Sequence, residues 1–555
     1  MAERGPYVMT RSGALRGSFR DGVAAFLGVP YARPPVGALR FRAPEEAEPW
    51  DGVREATAFG PTAPKRPYAP PLDLLLPDPE VPGDDCLNLN VWAPWGDGPE
   101  TAAGNDGTGL PARDGGAEPA ASTGRGGPEP AAPAGCGGPE SAASTGHGGP
   151  ESAAGRGGRP VMVWIHGGSL IHGSSAVPVY DGTAFARDGV VLVSVNYRLG
   201  VEGFGVFPDA PANLGLRDQI AALTWVRDNI AAFGGDPERV TVFGESAGAI
   251  SIAALLASPL AKGLFRRAVV QSGAPLAQPL GTARRTTEAV AARLKVPATA
   301  EAFAGVDREE LLAAQTAVTG KGSPLTGGHS FQIAVDGEVV PRDPADALAD
   351  GASAEVDLLM GTTTEEYRLW FVPGGTADRV GPVLQRLLLW KTKVPSRTAR
   401  VYRAGRRREK PGEVLGALAT DKLLRVPLND LADARLRAGG RAGTYLYEFG
   451  WRSPVLDLGA CHALELGFVF DTLDLPETRA LTGPDAPREL AAAMHAAWVS
   501  FAGTGDPGWR SWDPARPVMT FGPGLPSLVE APREAERRAW EGRGRGRESR
   551  HRPTR

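Results

Sequence analysis

Thr241-Val242-Phe243-Gly244-Glu245-Ser246-Ala247-Gly248-Ala249 is the stretch on which the reading of this chain turns. A β-branched and aromatic run enters a Gly-x-Ser-x-Gly pentapeptide, and small residues then open an apolar helical pattern, predicting strand, sharp turn and helix. A serine at the tip of such a turn sits on strained backbone, and Gly244 and Gly248 leave room for strand and helix to close around it. Ser246 then projects its hydroxyl into a cleft, and the Ala247 N–H at the helix start points to where an oxyanion forms. Ser246 is the candidate nucleophile and Glu245 an accessory candidate beside it. With 73 glycines in the chain, a chance pentapeptide is the competing explanation. The flanking strand and helix patterns weigh against it.

On either side of this stretch, apolar runs at 161–165, 190–195, 240–243 and 268–270 read as strands buried on both faces. Residues 356–361 and 444–449 read as two more. Between 216 and 233, Ile220, Leu223, Val226 and Ile230 recur at helical spacing before Gly234-Gly235-Asp236-Pro237 stops the helix. Further helices are expected at 286–294 and 489–501. Strands alternating with helices predict an α/β fold whose large, mostly parallel sheet is covered by helices on both faces. Residues 86–92 add a strand with period-two alternation.

The net charge of −4 and pI near 6.1 argue against a general nucleic-acid binder. Neither a signal-peptide core nor an apolar run of membrane-spanning length is found, so the expectation is a cytoplasmic protein with no membrane span. Cys86, Cys136 and Cys461 are too few and too scattered for a disulfide framework or a zinc site, and free thiols suit a reducing compartment. Residues 95–158 are mostly Gly, Ala, Pro, Ser and Glu, and Gly-Gly-Pro-Glu recurs there with no apolar face to stack. They are expected to form a disordered insert in a single domain made of 1–94 and 159–530. From 531 to 555 the many arginines predict a disordered tail.

A serine hydroxyl needs a base, and the base needs an acid to orient it. Of the seven histidines, His147 and His551 fall in the insert and the tail, His172 and His329 lie in loops without a motif, and His495 sits within a helix. His462, on a loop after the strand ending near Phe449, is the candidate base, with a structural histidine capping that loop as the open alternative. The acid is sought at the carboxyl end of a parallel strand, where sites of this architecture assemble. Glu366 in Gly361-Thr362-Thr363-Thr364-Glu365-Glu366 is the candidate, with Glu365 as its rival. The order Ser, Glu, His is that of α/β-hydrolases. Oxyanion donors are expected from Trp164-Ile165-His166-Gly167-Gly168-Ser169-Leu170, where the N–H groups of Gly168 and Ser169 join that of Ala247. His166 reads as an anchor for that loop.

These motifs together resemble the type-B carboxylesterase family, related to cholinesterases. The resemblance runs from about Gly13 to Phe521 outside the insert. It rests on FLGVPYARPPVGALRF from Phe26, DDCLNLNVW from Asp84, VNYRLGVEGF from Val195, NLGLRDQIAALTWV from Asn213, FGGDPERVTVFGESAGA from Phe233 and GACHALELGFVF from Gly459. It implies the α/β-hydrolase fold, a Ser246, Glu366 and His462 triad, an oxyanion hole at Gly168, Ser169 and Ala247, and a supporting role for Ser272. It also implies an Arg198–Asp218 ion pair. Ser169 stands where the family usually has a third glycine, Cys86 has no partner cysteine before it, and no tryptophan between 61 and 85 is present to bind a choline cation.

The expected function is a serine carboxylesterase that takes small-molecule esters through an acyl-enzyme and needs no cofactor and no metal. The alternatives are a non-catalytic binding protein on the same fold and the same mechanism on amides, carbamates or lactones.

Overall fold

The computed structural model describes residues 5–96, 158–320 and 328–541. An 11-stranded sheet forms the spine. From its middle outward on one side, strand Gly235–Glu245 pairs in parallel with Arg267–Gln271, then come Asp357–Thr363, Thr444–Phe449 and Pro517–Phe521, all parallel. On the other side lie Arg159–Ile165 and Val191–Val195, also parallel. Antiparallel strands close both margins: Asn88–Pro94, Val23–Pro30 and Ser18–Arg20 at one, Ser527–Glu530 at the other.

Why the central strands read as unbroken apolar runs is plain from where their side chains go. In Arg159–Ile165, Val161, Val163 and Ile165 enter one core with Leu223 and Ile252, while Met162 and Trp164 enter the opposite core with Phe470 and Trp498. The period-two geometry of a strand sorts alternate residues into two cores, so neither face tolerates a polar side chain. Helices Leu214–Asn229 and Ala247–Leu256 supply the first core and Arg488–Thr504 the second. Trp164 alone packs, tilted or edge-on, against Tyr180, Phe243 and Phe470 at centroid distances of 4.9, 4.8 and 5.0 Å.

The expected helices extend further than the sequence patterns: 286–294 is part of Leu280–Leu294, and 489–501 of Arg488–Thr504. Arg198 and Asp218 form the expected buried pair, with the guanidinium Nη2 and Nε 2.6 and 2.8 Å from the two carboxylate oxygens. The described residues form one compact unit. The insert read at 95–158 lies, but for its first two residues and its last, outside the described residues.

The tail expectation needs correction over its first part. Glu534–Ala539 is a helix, Trp540 is buried, and its indole N–H donates to the Tyr402 hydroxyl at 2.9 Å. Arg537 and Arg538 pair with Glu534 on the same helix. Counting arginines hid their i,i+3 and i,i+4 acidic partners and the single tryptophan that seats the segment. Residues 542–555 lie outside the described residues.

Candidate active site

Strand Gly235–Glu245 ends against the first turn of helix Ala247–Leu256, and Ser246 joins them at φ 55° and ψ −121°. A non-glycine residue in that region costs on the order of 1–3 kcal/mol, so its surroundings must enforce it. They do so by close approach. A Cβ on Gly244 would sit 2.5 Å from the Ile165 carbonyl oxygen, and one on Gly248 only 2.0 Å from the same atom. The Ser246 N–H donates to the Gln271 carbonyl and its own carbonyl accepts from Ile250, both at 2.9 Å. The outcome is a half-buried serine at the carboxyl edge of the parallel sheet.

Across the cleft, His462 follows the loop after strand Thr444–Phe449, and Glu366 follows strand Asp357–Thr363. The imidazole Nδ1 lies 2.5 Å from Glu366 Oε2, and Glu366 Oε1 accepts the Thr363 N–H at 2.8 Å. Both carboxylate oxygens are thereby fixed in a residue that is 1% exposed. The rival Glu365 turns away to Arg452 and to the Ala460 N–H. Glu366 is thus the carboxylate that meets His462.

The other ring nitrogen, Nε2, lies 2.9 Å from Glu245 Oε1. That is ion-pair distance, but neither atom is aligned for a hydrogen bond and neither has another partner among the described residues. Ser246 and His462 line the same cleft without a hydrogen bond between them among the described residues. Burial alone pushes the His462 pKa down, yet the charges on Glu245 and Glu366 outweigh it and hold the imidazole well above its usual range.

A third carboxylate, Glu465, was not anticipated. It is fully buried; Gln271 Nε2 approaches Oε1 at 3.4 Å, and Oε2 has no partner among the described residues. Burial, then the neighbouring charges of Glu245 and Glu366, push its pKa up to about 8. The signal for it in the sequence is an acid inside the apolar run Ala463-Leu464-Glu465-Leu466-Gly467-Phe468. Ser272, expected as polar support, is buried with no hydrogen bond to its hydroxyl among the described residues.

The loop from 166 to 173 forms the adjoining wall. Gly168 has φ 108° and Ser169 φ 55°, which turn the chain over the cleft, and a Cβ on Gly168 would meet the His172 carbonyl oxygen at 2.2 Å. Among the described residues, the N–H groups of Gly168, Ser169 and Ala247 donate to no protein acceptor. Ser169 is exposed to the cleft. His166 behaves as the expected anchor: it is buried, stacks on Tyr197 at 4.4 Å, and burial lowers its pKa to about 4. A second tether escaped the sequence reading. Asp78 accepts the Gly173 N–H at 3.1 Å and faces the buried Lys65 at 3.3 Å.

These elements line a cleft of roughly 860 Å³ that opens to solvent. Leu72, Leu75, Val179, Trp370, Leu464 and Leu481 supply much of its wall, and no lysine or arginine among the described residues lines it. Among the described residues no group of three or more His, Cys, Asp and Glu side chains is arranged to hold a metal ion, and no helix is long and apolar enough to cross a membrane.

The model of the carboxylesterase family matches residues 4–521. The chain is 36% identical over 515 residues to the para-nitrobenzyl esterase of Bacillus subtilis, covering 90% of each chain. It is 30% identical to human carboxylesterase 3, covering 93% of this chain and 86% of that one. Among solved structures, a Geobacillus stearothermophilus carboxylesterase superposes with a TM-score of 0.77 at 34% identity, over 96% of this chain and 100% of that one. Two cores around a mostly parallel sheet, a serine elbow at its carboxyl edge and this similarity along nearly the whole chain converge: the protein belongs to the carboxylesterase family and is a carboxylic ester hydrolase with the α/β-hydrolase fold.

Proposed function

We propose that Ser246, His462 and Glu366 carry the hydrolysis and that the substrates are small, uncharged esters with apolar acyl or aryl groups. The single observation behind the assignment is the doubly anchored Glu366, whose contact at Nδ1 leaves Nε2 free of that carboxylate on a ring that lines the same cleft as Ser246. Ser246 Oγ attacks the ester carbonyl while Nε2 takes its proton. The oxyanion is met by the N–H groups of Gly168, Ser169 and Ala247, which have no competing acceptor among the described residues. The imidazolium returns the proton to the leaving alcohol, and water then opens the acyl-enzyme by the reverse sequence. Glu366 stabilises that imidazolium. Glu245, on the Nε2 side, favours it too and repels the carboxylate product.

The substrate class follows from the wall. A largely apolar wall without a cation favours a neutral ester over an anionic one. We also propose a reducing, cytoplasmic setting, which the buried free thiols of Cys86 and Cys461 support. The test is hydrolysis of a short-chain aryl ester by Ser246→Ala. A loss of several orders of magnitude is expected, and unchanged turnover would remove the assignment.

A further inference from the structure

Ester hydrolysis leaves one surface unexplained. Helix Pro382–Lys391 buries Gln385 and Leu389, while Val383, Leu387 and Trp390, spaced i, i+4, i+7, lie on its opposite side. They are 82%, 55% and 78% exposed, with Leu384 beside them at 42%. An apolar stripe of this kind on a helix whose inner face is already packed marks an interaction surface.

The charge around it has one sign. From Arg379 to Arg408 the sequence contains no Asp or Glu, in a chain whose net charge is −4. Arg386, Lys393, Arg397, Arg400, Arg407 and Arg408 are all exposed. The acids that border this stretch are engaged at its edges: Asp378 with Lys410, and Glu409 and Glu536 with Arg406. Glu541 lies near it only through its carbonyl, which accepts from Arg397, while its carboxylate holds Arg537. On its inner face the helix places Leu389 in one core with Tyr367 and Phe371. Trp370, ten residues or so upstream of the helix, is 44% exposed, lines the cleft and places its ring 4.7 Å from that of His462.

We propose that the Pro382–Lys391 face docks on an anionic phospholipid bilayer, its apolar stripe entering the headgroup–acyl boundary and the flanking cations meeting phosphates. A helix with an aromatic and aliphatic face and cationic flanks has the chemistry of such a surface. A nucleic acid would engage the cations but gives Val383 and Leu387 nothing to bury against. A second copy of this chain, packed face to face, would set like charges against each other.

The test is co-sedimentation of the full-length protein with phosphatidylcholine vesicles and with phosphatidylcholine–phosphatidylglycerol vesicles. Binding to the anionic vesicles alone is expected, falling at least about tenfold in Leu387→Ser/Trp390→Ser. In Arg386→Gln/Lys393→Gln/Arg400→Gln it falls about a hundredfold, at about fivefold per cation near the surface. Turnover of a water-soluble aryl ester and the melting temperature stay unchanged in both variants. The proposal is overturned if the native protein ignores anionic vesicles or binds neutral ones equally well, or if the variants bind as the native protein does. It is overturned too if the native protein is a dimer that the apolar variant dissociates, or if the native protein binds DNA in place of vesicles and the cation variant loses that binding.

Discussion

Glu366→Gln is the substitution whose consequence the geometry fixes most tightly. The carboxylate now accepts at both oxygens, from Thr363 N–H at 2.8 Å and against His462 Nδ1 at 2.5 Å. An amide has one acceptor and one donor end. Turning its NH₂ toward Thr363 would set two buried donors against each other, which costs about 1–3 kcal/mol. The amide oxygen therefore stays on Thr363 and the NH₂ faces Nδ1, which forces the imidazole proton onto Nε2, where it can no longer accept from Ser246. The same change removes the charge that stabilises the imidazolium, an attraction of about 4 kcal/mol at contact for an effective dielectric near 20. Together these amount to about 5–7 kcal/mol, or a loss of roughly 10⁴- to 10⁵-fold in kcat. Aryl-ester kinetics with a melting curve as the folding control measure it, and KM stays close to native because the residue does not line the cleft. A fall in kcat of less than about a hundredfold in a folded variant would show that Glu366 neither sets the tautomer nor stabilises the imidazolium.

His462 must be neutral to act as base, and its pKa is raised by Glu245 and Glu366, so the acid limb of kcat/KM against pH lies above the ordinary imidazole range. Glu245→Gln removes one raising charge and moves that limb to lower pH; a limb that stays put or moves up contradicts this. Asp218→Ala strands the buried Arg198 guanidinium and costs about 3–5 kcal/mol of stability, seen as a lower urea midpoint at unchanged slope. A cost under about 1 kcal/mol would show the pair is dispensable. Ser169→Gly relieves a left-handed residue and opens the cleft wall, so kcat/KM for branched acyl esters rises relative to acetyl esters without loss of melting temperature. Equal ratios in the two proteins would remove Ser169 from the specificity wall.

How much of this was legible in the sequence depended on whether the signal was local. The strands announced themselves because residues such as Val161 to Ile165 feed two cores and leave no polar position. The elbow did so because Gly244 and Gly248 are required by a single carbonyl, that of Ile165. Ser246, Glu366 and His462 could be placed in order because each follows a strand end. What the sequence hid were pairings that only the fold creates. Asp78 reaches Gly173 across 95 positions, and Glu465 joins Glu245 from a turn that reads as apolar. Trp540 finds Tyr402 from a segment that composition marks as tail. The exposed face of Pro382–Lys391 was missed for the opposite reason: an apolar helical spacing normally points inward, and here it does not.

The proposed mechanism gathers one hydroxyl, one imidazole and three amide hydrogens around a single ester carbonyl. A crystal structure of the protein after reaction with an aryl phosphonate tests it most directly. Phosphorus is expected on Ser246 Oγ, with its phosphoryl oxygen about 2.7–3.1 Å from the nitrogens of Gly168, Ser169 and Ala247 and His462 Nε2 facing the adduct. An adduct on another residue, or a phosphoryl oxygen turned away from those amides, would contradict it.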